Sequence, residues 1–405
     1  MRVVILDPYA SGHHASYLRW LVQAAHREHW SVVVATSKTA LTHPLLNTIA
    51  ADLGDVSTHL VEAGPGMGSS DGRSSKLLFR EFAYWRTFKR VVLEVREKTA
   101  VDGVILPYVD YCFYALAICG SPFQELPWCG ICMRLGVAPG AADARSLLPL
   151  KWRLARRILG APTLSALFVI NPSVQDVPPS WLSTTRLSKL RYLPDPAEFE
   201  STTDRTGSRA ALGILDGDVG ILVFGSIDER KGIDALLNSI SSEKGLGNYV
   251  VILAGKQSGI VQSQLRTAPY SELLSARRLI VIDRFLTEVE QSAVFAAADV
   301  VWVGYRNHFY MSGVLVLAGR AGRPVVGTSG GEIGRLIEKY RIGVVANIER
   351  PAEVTAALRE MLDVRTRSRF SEGAQLAFAG HTVENFGASV MAAFHSPQRV
   401  SGQSC

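Results

Sequence analysis

The sequence predicts an α/β protein with two Rossmann-like, doubly wound domains that face a cleft. Its 405 residues are more than one hydrophobic core usually serves. Short apolar runs alternate with segments of helical spacing, which is typical of parallel sheets covered by helices. The alternation pauses over residues 192–218, which are rich in Pro, Asp, Thr and Gly, and then restarts. We therefore expect a domain boundary in this stretch.

The first domain is expected to cover residues 1–195. A helix is predicted at Ala15–His29, directly after the first strand, and a long loop at 61–76. Strands are predicted at Arg2–Leu6, Ser31–Ala35, Val101–Pro107, Trp128–Met133 and Leu167–Asn171.

The second domain is expected to cover residues 196–375, and the tail, 376–405, to cross back to the first domain. A helix is predicted over Phe370–Phe394. Strands are predicted at Gly220–Phe224, Val250–Ala254, Leu279–Asp283, Asp299–Val303, Pro324–Gly327 and Gly343–Ala346.

The composition is that of a globular protein, with 47% hydrophobic and 20% charged residues. No run of 18 apolar residues and no secretory signal pattern occurs, and only five cysteines are present. We therefore expect a cytoplasmic protein with reduced thiols. The net charge of +6 is compatible with a phosphorylated substrate or an acidic membrane surface. No basic arm or known module predicts a nucleic-acid partner.

No metal or cofactor site is predicted. Asp7 and Asp102 do not belong to a cluster of metal-binding residues. Cys129 and Cys132 have the spacing of a redox or zinc half-site, but they lie in an apolar strand and are expected to be buried. A dehydrogenase is disfavoured because no Gly-x-Gly-x-x-Gly follows the first strand.

A lysine follows the first strand of the second domain. Gly225 and Ser226 end that strand, and Arg230 and Lys231 stand just before the next helix. Ligands of doubly wound sheets bind beyond the carboxyl ends of the strands. Lys231 is therefore predicted to reach an anionic group, with Arg230 and the later Arg284 assisting.

A serine-glycine pair opens the apolar helix predicted at Val314–Arg320. Ser312 fits an N-cap, and Gly313 lets a phosphate approach the backbone. The free N–H groups and the helix dipole at Val314 suit a diphosphate. The polar residues nearest to this phosphate site are predicted to contact the sugar and ribose; they are Tyr305, Asn307, His308 and Glu332.

The order of these motifs resembles the C-terminal domain of family 4 glycosyltransferases, which have the GT-B fold. The matching segments are Gly225–Gly232, Phe309–Val326 and Gly330–Gly331. The resemblance implies transfer of a sugar from a nucleoside diphosphate sugar to a hydroxyl acceptor, with retention of configuration. It also implies that Lys231 is catalytic and that Gly225, Ser226 and their neighbours bind the donor.

The sequence departs from the family at both glutamates of its Glu-x7-Glu motif. Phe309 and Leu317 occupy these positions, and Ser226 replaces an arginine. The Ser-Gly-Val-Leu stretch from Ser312 resembles a divergent branch of the family. Two alternatives stay open: a catalytically silent partner that binds a sugar nucleotide or glycan, and a GT-B sugar-nucleotide epimerase.

The first domain supplies the acceptor-side candidates. The loop after the first strand contains Gly12, His13 and His14 and resembles the family's glycine-rich first loop, where acceptor and donor meet. His13 or His14 is expected to act in catalysis. Asp110, which ends a later strand, is expected to contact the acceptor hydroxyl, and Arg134 to bind the acceptor.

A basic helix is predicted within Arg145–Gly160. At 100° per residue, Arg145, Arg153, Arg156 and Arg157 fall on one side, and most apolar residues face away. This pattern suits an ordinary surface helix, and it also suits a helix that meets anionic lipid head groups.

Overall fold

The computed structural model describes residues 1–9, 14–43, 46, 56–62, 74–135, 148–176, 182–199, 203–246 and 248–395. The chain divides into two compact units. Unit 1 consists of Met1–Pro194 and Val383–Cys405, and unit 2 of Asp195–Thr382. Both sheets are parallel and carry helices, which confirms the predicted α/β class.

Unit 1 is built on a seven-stranded sheet with the strand order β3-β2-β1-β4-β5-β6-β7. The strands are β1 Arg2–Leu6, β2 Ser31–Thr36, β3 Val56–Leu60, β4 Gly103–Leu106, β5 Trp128–Cys132, β6 Leu164–Val169 and β7 Leu190–Tyr192. The helices are α1 His14–Arg27, α2 Lys38–Leu41, α3 Ser74–Lys98, α4 Phe113–Cys119, α5 Leu148–Leu159, α6 Ser173–Asp176 and α7 Thr184–Leu187, with α17 Val383–His395 at the end of the chain.

Unit 2 is built on a six-stranded sheet with the order β10-β9-β8-β11-β12-β13. Its strands are β8 Val219–Phe224, β9 Tyr249–Ala254, β10 Leu279–Ile282, β11 Val300–Val303, β12 Val325–Thr328 and β13 Gly343–Ala346. Its helices are α8 Arg205–Leu212, α9 Ile233–Ser242, α10 Gly259–Leu265, α11 Tyr270–Ser275, α12 Glu288–Ala297, α13 Gly313–Arg320, α14 Gly331–Tyr340, α15 Pro351–Glu360 and α16 Val364–Phe378.

Central strands of both sheets are buried on both faces, as parallel sheets covered by helices require. All four residues of β4 and of β11 are buried. In each sheet, the first strands of the chain are added one after another toward one edge. The next strand then pairs with the free side of the first strand, and the later strands extend the sheet toward the other edge. The direction reverses between β1 and β4 in unit 1 and between β8 and β11 in unit 2.

Two predictions about chain organisation were wrong in detail. The predicted linker contains the helix α8, which begins because the Asp204 carboxylate accepts hydrogen bonds from the amides of Thr206 and Gly207. The single tail helix is two helices. They are separated at residues 379–382, where the chain passes from unit 2 to unit 1.

Two edge strands were not predicted. Residues of β3 are half-buried or exposed, and β7 has three residues, so neither shows the apolar run used to recognise strands. The predicted loop at 61–76 lies largely outside the described residues. Cys129 and Cys132 are fully buried in β5, and burial raises the pKa of each thiol, as expected for inert strand cysteines.

Candidate functional site

The carboxyl ends of β8 and β11 bring Lys231 and Tyr305 together. Because the chain reverses direction between these strands, the loops that follow them leave a crevice where ligands of doubly wound sheets bind. Lys231 Nζ lies 2.7 Å from the Tyr305 hydroxyl and 2.8 Å from the Phe224 carbonyl oxygen. Both partners are neutral. The side chain of Lys231 is largely buried, at 8% exposure.

Lys231 has no ion-pair partner among the described residues. An ammonium group has three hydrogens to donate, and the two neutral oxygens use two of them. A buried cation without a counter-charge is costly in free energy. The site is therefore suited to an anion that completes the third hydrogen bond.

The backbone around Lys231 is fixed by close packing between two loops. Gly232 adopts a φ of 58°, and a Cβ there would collide with the carbonyl oxygen of Gly304. The Trp302 indole donates a 2.8 Å hydrogen bond to the Lys231 carbonyl oxygen. The loops after β8 and β11 are thus held together, and Lys231 cannot shift without disturbing both.

The start of α13 lies next to the same position. Gly225 has a φ of 94°, and a Cβ there would lie 3.6 Å from Lys231 Nζ and 4.0 Å from a methyl group of Val314. A side chain at Gly225 would therefore enter the space between the lysine and the helix.

The structure corrects the predicted role of Ser312. Ser312 occupies the N-cap position of α13, but its side chain makes no capping hydrogen bond. The amides of Leu315 and Val316 donate to the Ser312 carbonyl, whereas those of Gly313 and Val314 have no partner among the described residues. The uncapped helix end leaves two N–H groups for an anion.

His308 is held in the loop between β11 and α13. Its Nε2 donates to the Met311 carbonyl oxygen at 3.2 Å, and its ring packs edge-on against Tyr305. Burial lowers the pKa of His308, and the charges of Arg230 and Lys231 act in the same direction. The imidazole is therefore neutral at physiological pH and offers Nδ1 as an acceptor.

Glu332 is the carboxylate that the sequence placed nearest to the site. It has no exposed surface, and its carboxylate pairs with Arg335 at 2.5 Å within α14. The preceding Gly331 packs closely on the loop between β11 and α13. A Cβ at Gly331 would come within 2.7 Å of the His308 carbonyl oxygen. Glu332 thus anchors α14 in this structure rather than facing a ligand, contrary to its predicted role.

The other predicted donor-binding residues are placed differently from Lys231. The Arg230 guanidinium pairs with Asp228, and Ser226 is exposed in the same loop. Arg284 follows the edge strand β10, two strands away from β8, and both of its terminal nitrogens donate to Glu290. The structure does not bring Arg284 together with Lys231.

An ion-pair group beside the site was not predicted. Arg306, next to Tyr305, donates to both oxygens of Asp234 and to Glu349. These contacts tie the loop after β11 to the start of α9. The spacing of charged residues along the sequence could not predict these ion pairs, because the partners are more than 40 residues apart.

Unit 1 has a cluster of polar side chains at the corresponding place, beyond the ends of β1 and β4. His14 begins α1, and its Nδ1 lies 2.8 Å from an oxygen of Asp7, which follows β1. The His14 Nε2 lies 2.8 Å from the hydroxyl of Tyr111, which follows β4. Asp7 is 1% exposed and also accepts a hydrogen bond from the Tyr9 amide. Neither Asp7 nor Tyr111 was a predicted site residue.

Aromatic rings enclose this group. The Tyr108 ring stacks on His14 with centroids 3.8 Å apart. Tyr111 packs against Tyr9 and Tyr84, each at 5.1 Å. The hydroxyls of Tyr9 and Tyr84 contact each other. A half-buried aromatic wall of this kind can pack against the apolar faces of a sugar.

Asp110 does not have the acceptor-contact role that was predicted for it. Its carboxylate accepts hydrogen bonds from the amides of Met133 and Arg134 and lies 3.4 Å from Lys151 Nζ. These contacts fasten the loop after β5 to the loop after β4, so the carboxylate is structural. Arg134 has an exposed side chain beside it, and Gly12 and His13 lie outside the described residues.

A buried carboxyl group lies behind Asp110. Glu81 on α3 is 2% exposed and accepts a 2.6 Å hydrogen bond from the Tyr114 amide at the start of α4. Burial raises the pKa of Glu81 to about 7, and the charge of Asp110 contributes in the same direction. Within the described ranges, no group of three or more His, Cys, Asp or Glu residues could hold a metal ion.

Residues 218–364, which lie within unit 2, match the model of the family described as "Glycosyl transferases group 1". The predicted family resemblance is thereby confirmed for this unit. None of the curated proteins matches the chain.

Solved structures of other proteins are similar to this chain over almost its whole length. Sucrose-phosphate synthase from Thermosynechococcus elongatus has a TM-score of 0.69 at 15% identity, with 98% of each chain covered. HepE from Anabaena, in complex with UDP, has a TM-score of 0.66 at 15% identity, covering 98% of this chain and 100% of HepE. WaaG, a glycosyltransferase involved in lipopolysaccharide biosynthesis, has a TM-score of 0.62 at 16% identity, covering 98% and 100%. These similarities confirm the predicted GT-B fold.

Proposed function

We propose that this chain, whose residues 218–364 match the group 1 glycosyltransferase family, moves a sugar from a nucleoside diphosphate sugar to a hydroxyl acceptor. The observation that carries the proposal is the buried ammonium of Lys231, which has two neutral partners and no counter-ion among the described residues. The diphosphate supplies the missing charge. HepE, a similar structure, was solved with UDP and with UDP-glucose, which supports this class of donor.

The diphosphate is proposed to lie between Lys231 and the first turn of α13. The amides of Gly313 and Val314, which have no partner among the described residues, donate to one phosphate, and Lys231 donates to a neighbouring oxygen. Charge develops on the diphosphate as its bond to the sugar breaks, so these fixed donors stabilise the transition state. The reaction is proposed to proceed without metal and with retention of configuration, as the family resemblance implies.

The missing motif glutamates are proposed to be replaced by neutral groups. Phe309 is 47% exposed, and neither it nor Leu317 can accept a hydrogen bond from a sugar hydroxyl. Nδ1 of the neutral His308 and the hydroxyl of Ser312 are acceptors in the same loop. They take the hydroxyl contacts that a carboxylate makes in other members of the family.

Binding can be tested with UDP-, GDP- and ADP-sugars in thermal-shift experiments, followed by assays of donor hydrolysis and transfer. A donor should raise the melting temperature by an amount that grows with its affinity and its concentration, and Lys231→Met should abolish most of the shift. Interconversion of the free sugar nucleotide would instead favour the epimerase, and tight binding without turnover the silent partner. No shift with any nucleotide would refute the proposal.

An anionic membrane surface is proposed as a second partner, contacted by unit 1. Arg153, Arg156 and Arg157 are exposed on α5. Helices α5 and α3 both pack on α4, and α3 exposes Leu78 and Phe79, at 48% and 67%. Exposed cations together with exposed apolar side chains are typical of proteins that bind the surface of a bilayer. No helix in the described part of the chain is long and apolar enough to span a bilayer.

Membrane binding can be tested by co-sedimentation with vesicles that contain anionic lipid. Replacing Arg153, Arg156 and Arg157 with alanine should weaken binding at low salt. The matched control replaces three exposed arginines of unit 2, Arg266, Arg365 and Arg369. Equal binding by both triple variants would show that α5 is an ordinary solvated helix.

A further inference from the structure

A cavity of about 500 Å³ lies at the edge of the unit 1 sheet that is opposite to the crevice. The loops that line it come just before β5 and β6 in the chain, whereas the crevice follows the carboxyl ends of β1 and β4. The last turns of α4 and α5 and the short helix α7 complete its walls. All of these elements belong to unit 1. A cavity of this volume can hold a small organic molecule.

Two arginines line the cavity without a counter-ion among the described residues. Arg157 lies in the last turn of α5, and Arg186 lies in α7. A Cβ at Gly160 would lie 3.3 Å from Arg186 Nε, so this guanidinium lies over the chain just after α5. Neither guanidinium forms an ion pair or a hydrogen bond with any described residue. The described residues that line the cavity include no Asp or Glu, so the positive charge is not offset there.

The end of α5 does not use these arginines. Basic side chains near the end of a helix often bond its last carbonyl groups. In α5, however, the carbonyls of Arg156 and Arg157 accept from the Gly160 amide, and the carbonyl of Ile158 accepts from the Ala161 amide. The guanidinium groups therefore keep their N–H donors for another partner.

Neutral donors line the same cavity. Trp128 begins β5 and is 1% exposed, and its buried Nε1 has no hydrogen-bond partner among the described residues. Trp85 differs, because its Nε1 donates to the Gly120 carbonyl oxygen at 2.8 Å. An indole N–H can only donate, and burying it without an acceptor is unfavourable. The Ser121 hydroxyl accepts from the Phe123 amide and keeps its own proton for an acceptor. These donors suit a ligand that is rich in oxygen acceptors.

We propose that this cavity binds an organic phosphate. Arg157 and Arg186 hold the phosphate, because a guanidinium can donate to two of its oxygens at once. Trp128 Nε1 donates to a further oxygen of the ligand. The apolar side chains of Leu116 and Ile158 also line the cavity and pack against the carbon skeleton. Because every residue of the site belongs to unit 1, the proposal does not depend on the diphosphate site of unit 2.

Phenyl phosphate, which joins a phosphate to an apolar ring, is the soluble probe. Spectra of the full chain with 15N-labelled indoles report on its seven tryptophans, and Trp128→Phe assigns the signal of Trp128. Phenyl phosphate should shift this signal in the wild-type protein and also in Lys231→Met, in which the unit 2 phosphate site is impaired. Replacing both Arg157 and Arg186 with glutamine should weaken binding by about tenfold or more. The matched control is Arg153→Gln, which removes an exposed arginine of α5 that does not line the cavity.

The phosphate can belong to a soluble ester or to a lipid head group, and vesicles distinguish the two sources. Co-sedimentation is compared on phosphatidylcholine vesicles with and without phosphatidic acid. Weaker binding of Arg186→Gln than of Arg153→Gln to phosphatidic acid assigns the site to a lipid. Equal vesicle binding, together with loss of phenyl phosphate binding in Arg186→Gln, assigns it to a soluble ester.

Two results would overturn the proposal. In one, phenyl phosphate leaves the Trp128 signal unmoved in the wild-type protein, so that the cavity holds only water. In the other, the double arginine variant binds phenyl phosphate as tightly as wild type. A chain that binds phenyl phosphate in this cavity but binds no sugar nucleotide refutes the proposed transfer function and supports this site.

Discussion

Each unit has a basic side chain at the place where its strand order reverses. The two basic side chains differ in whether they have a counter-ion. In unit 1, His14 is paired with the buried carboxylate of Asp7, 2.8 Å away. In unit 2, Lys231 is buried against two neutral oxygens and has no ion-pair partner among the described residues. A base with its own counter-charge is prepared to gain a proton. A cation without one is prepared to bind an anion. The same position in two similar sheets thus holds a basic group that is already paired in one unit and a basic group that is open to an anion in the other.

Asp7→Asn tests the unit 1 side of this comparison and should have the largest effect. The amide cannot stabilise an imidazolium and can reverse the tautomer of His14, so kcat should fall by about 100-fold or more. The Kd of the donor should stay unchanged, because the diphosphate is proposed to bind to unit 2. Steady-state transfer rates and donor titrations check both expectations. An equal loss of donor binding would show that the two units do not divide the work in this way.

Glu81→Gln tests whether the buried carboxyl groups of unit 1 cost stability, as burial predicts. The folded-state pKa of about 7 exceeds the ordinary value of 4.5. The folded protein therefore binds a proton that the unfolded chain has released, and stability is lost as pH rises from about 4.5 to 7. The loss is on the order of 3 kcal/mol. Denaturant unfolding at pH 5 and pH 8 should show a smaller difference for the variant, and an unchanged difference would contradict this.

Lys231→Met tests the unit 2 side of the comparison, which concerns binding of an anion. Losing one charged hydrogen bond, worth about 1.5–3 kcal/mol, should weaken binding of the nucleoside diphosphate roughly 10- to 100-fold. Without ligand, the variant should melt at a higher temperature than wild type, because an uncompensated buried cation is removed. Lys339→Met, at the exposed far end of α14, is the matched control for charge. Equal donor affinity in the two variants would show that the phosphate site is elsewhere.

Ser312→Ala should have the smallest effect. The hydroxyl makes no capping bond in the structure, so the helix loses little, and diphosphate affinity should fall by less than about tenfold. Leu317→Glu should add nothing, since the site is proposed to operate without a carboxylate. A large gain in transfer by Leu317→Glu, measured beside Ser312→Ala, would favour a decayed site and the silent-partner alternative.

The sequence predicted the strand ends near the site well, because buried parallel strands are continuous apolar runs bounded by turn residues. Arg2–Leu6 and Gly343–Ala346 have the predicted bounds. Lys231 and Tyr305 could be selected because each follows such a strand, and the structure brings them into contact. The edge strand β3 could not be recognised, since its exposed residues lack that pattern.

Partners that depend on strand order were harder to predict. Asp7 and Tyr111 meet His14 because β1 pairs with β4, which is decided by packing and not by local spacing. Asp110 was selected in place of Tyr111, its immediate neighbour. The tight turn at Val109–Tyr111 sends the two side chains to different partners.

The last helix, α17, has a consequence for how the protein is made. It packs on α1, where Gly387 lies so close to Ala24 that a side chain would not fit, and Phe386 contacts Tyr17 edge-on. Unit 1 therefore contains the first and the last segments of the chain, while unit 2 is continuous. During synthesis, unit 2 can fold as soon as it leaves the ribosome, but unit 1 must wait with an uncovered apolar helix face until α17 has been made. A ribosome that stalls before Val383 would release a chain whose second unit is complete and whose first is not.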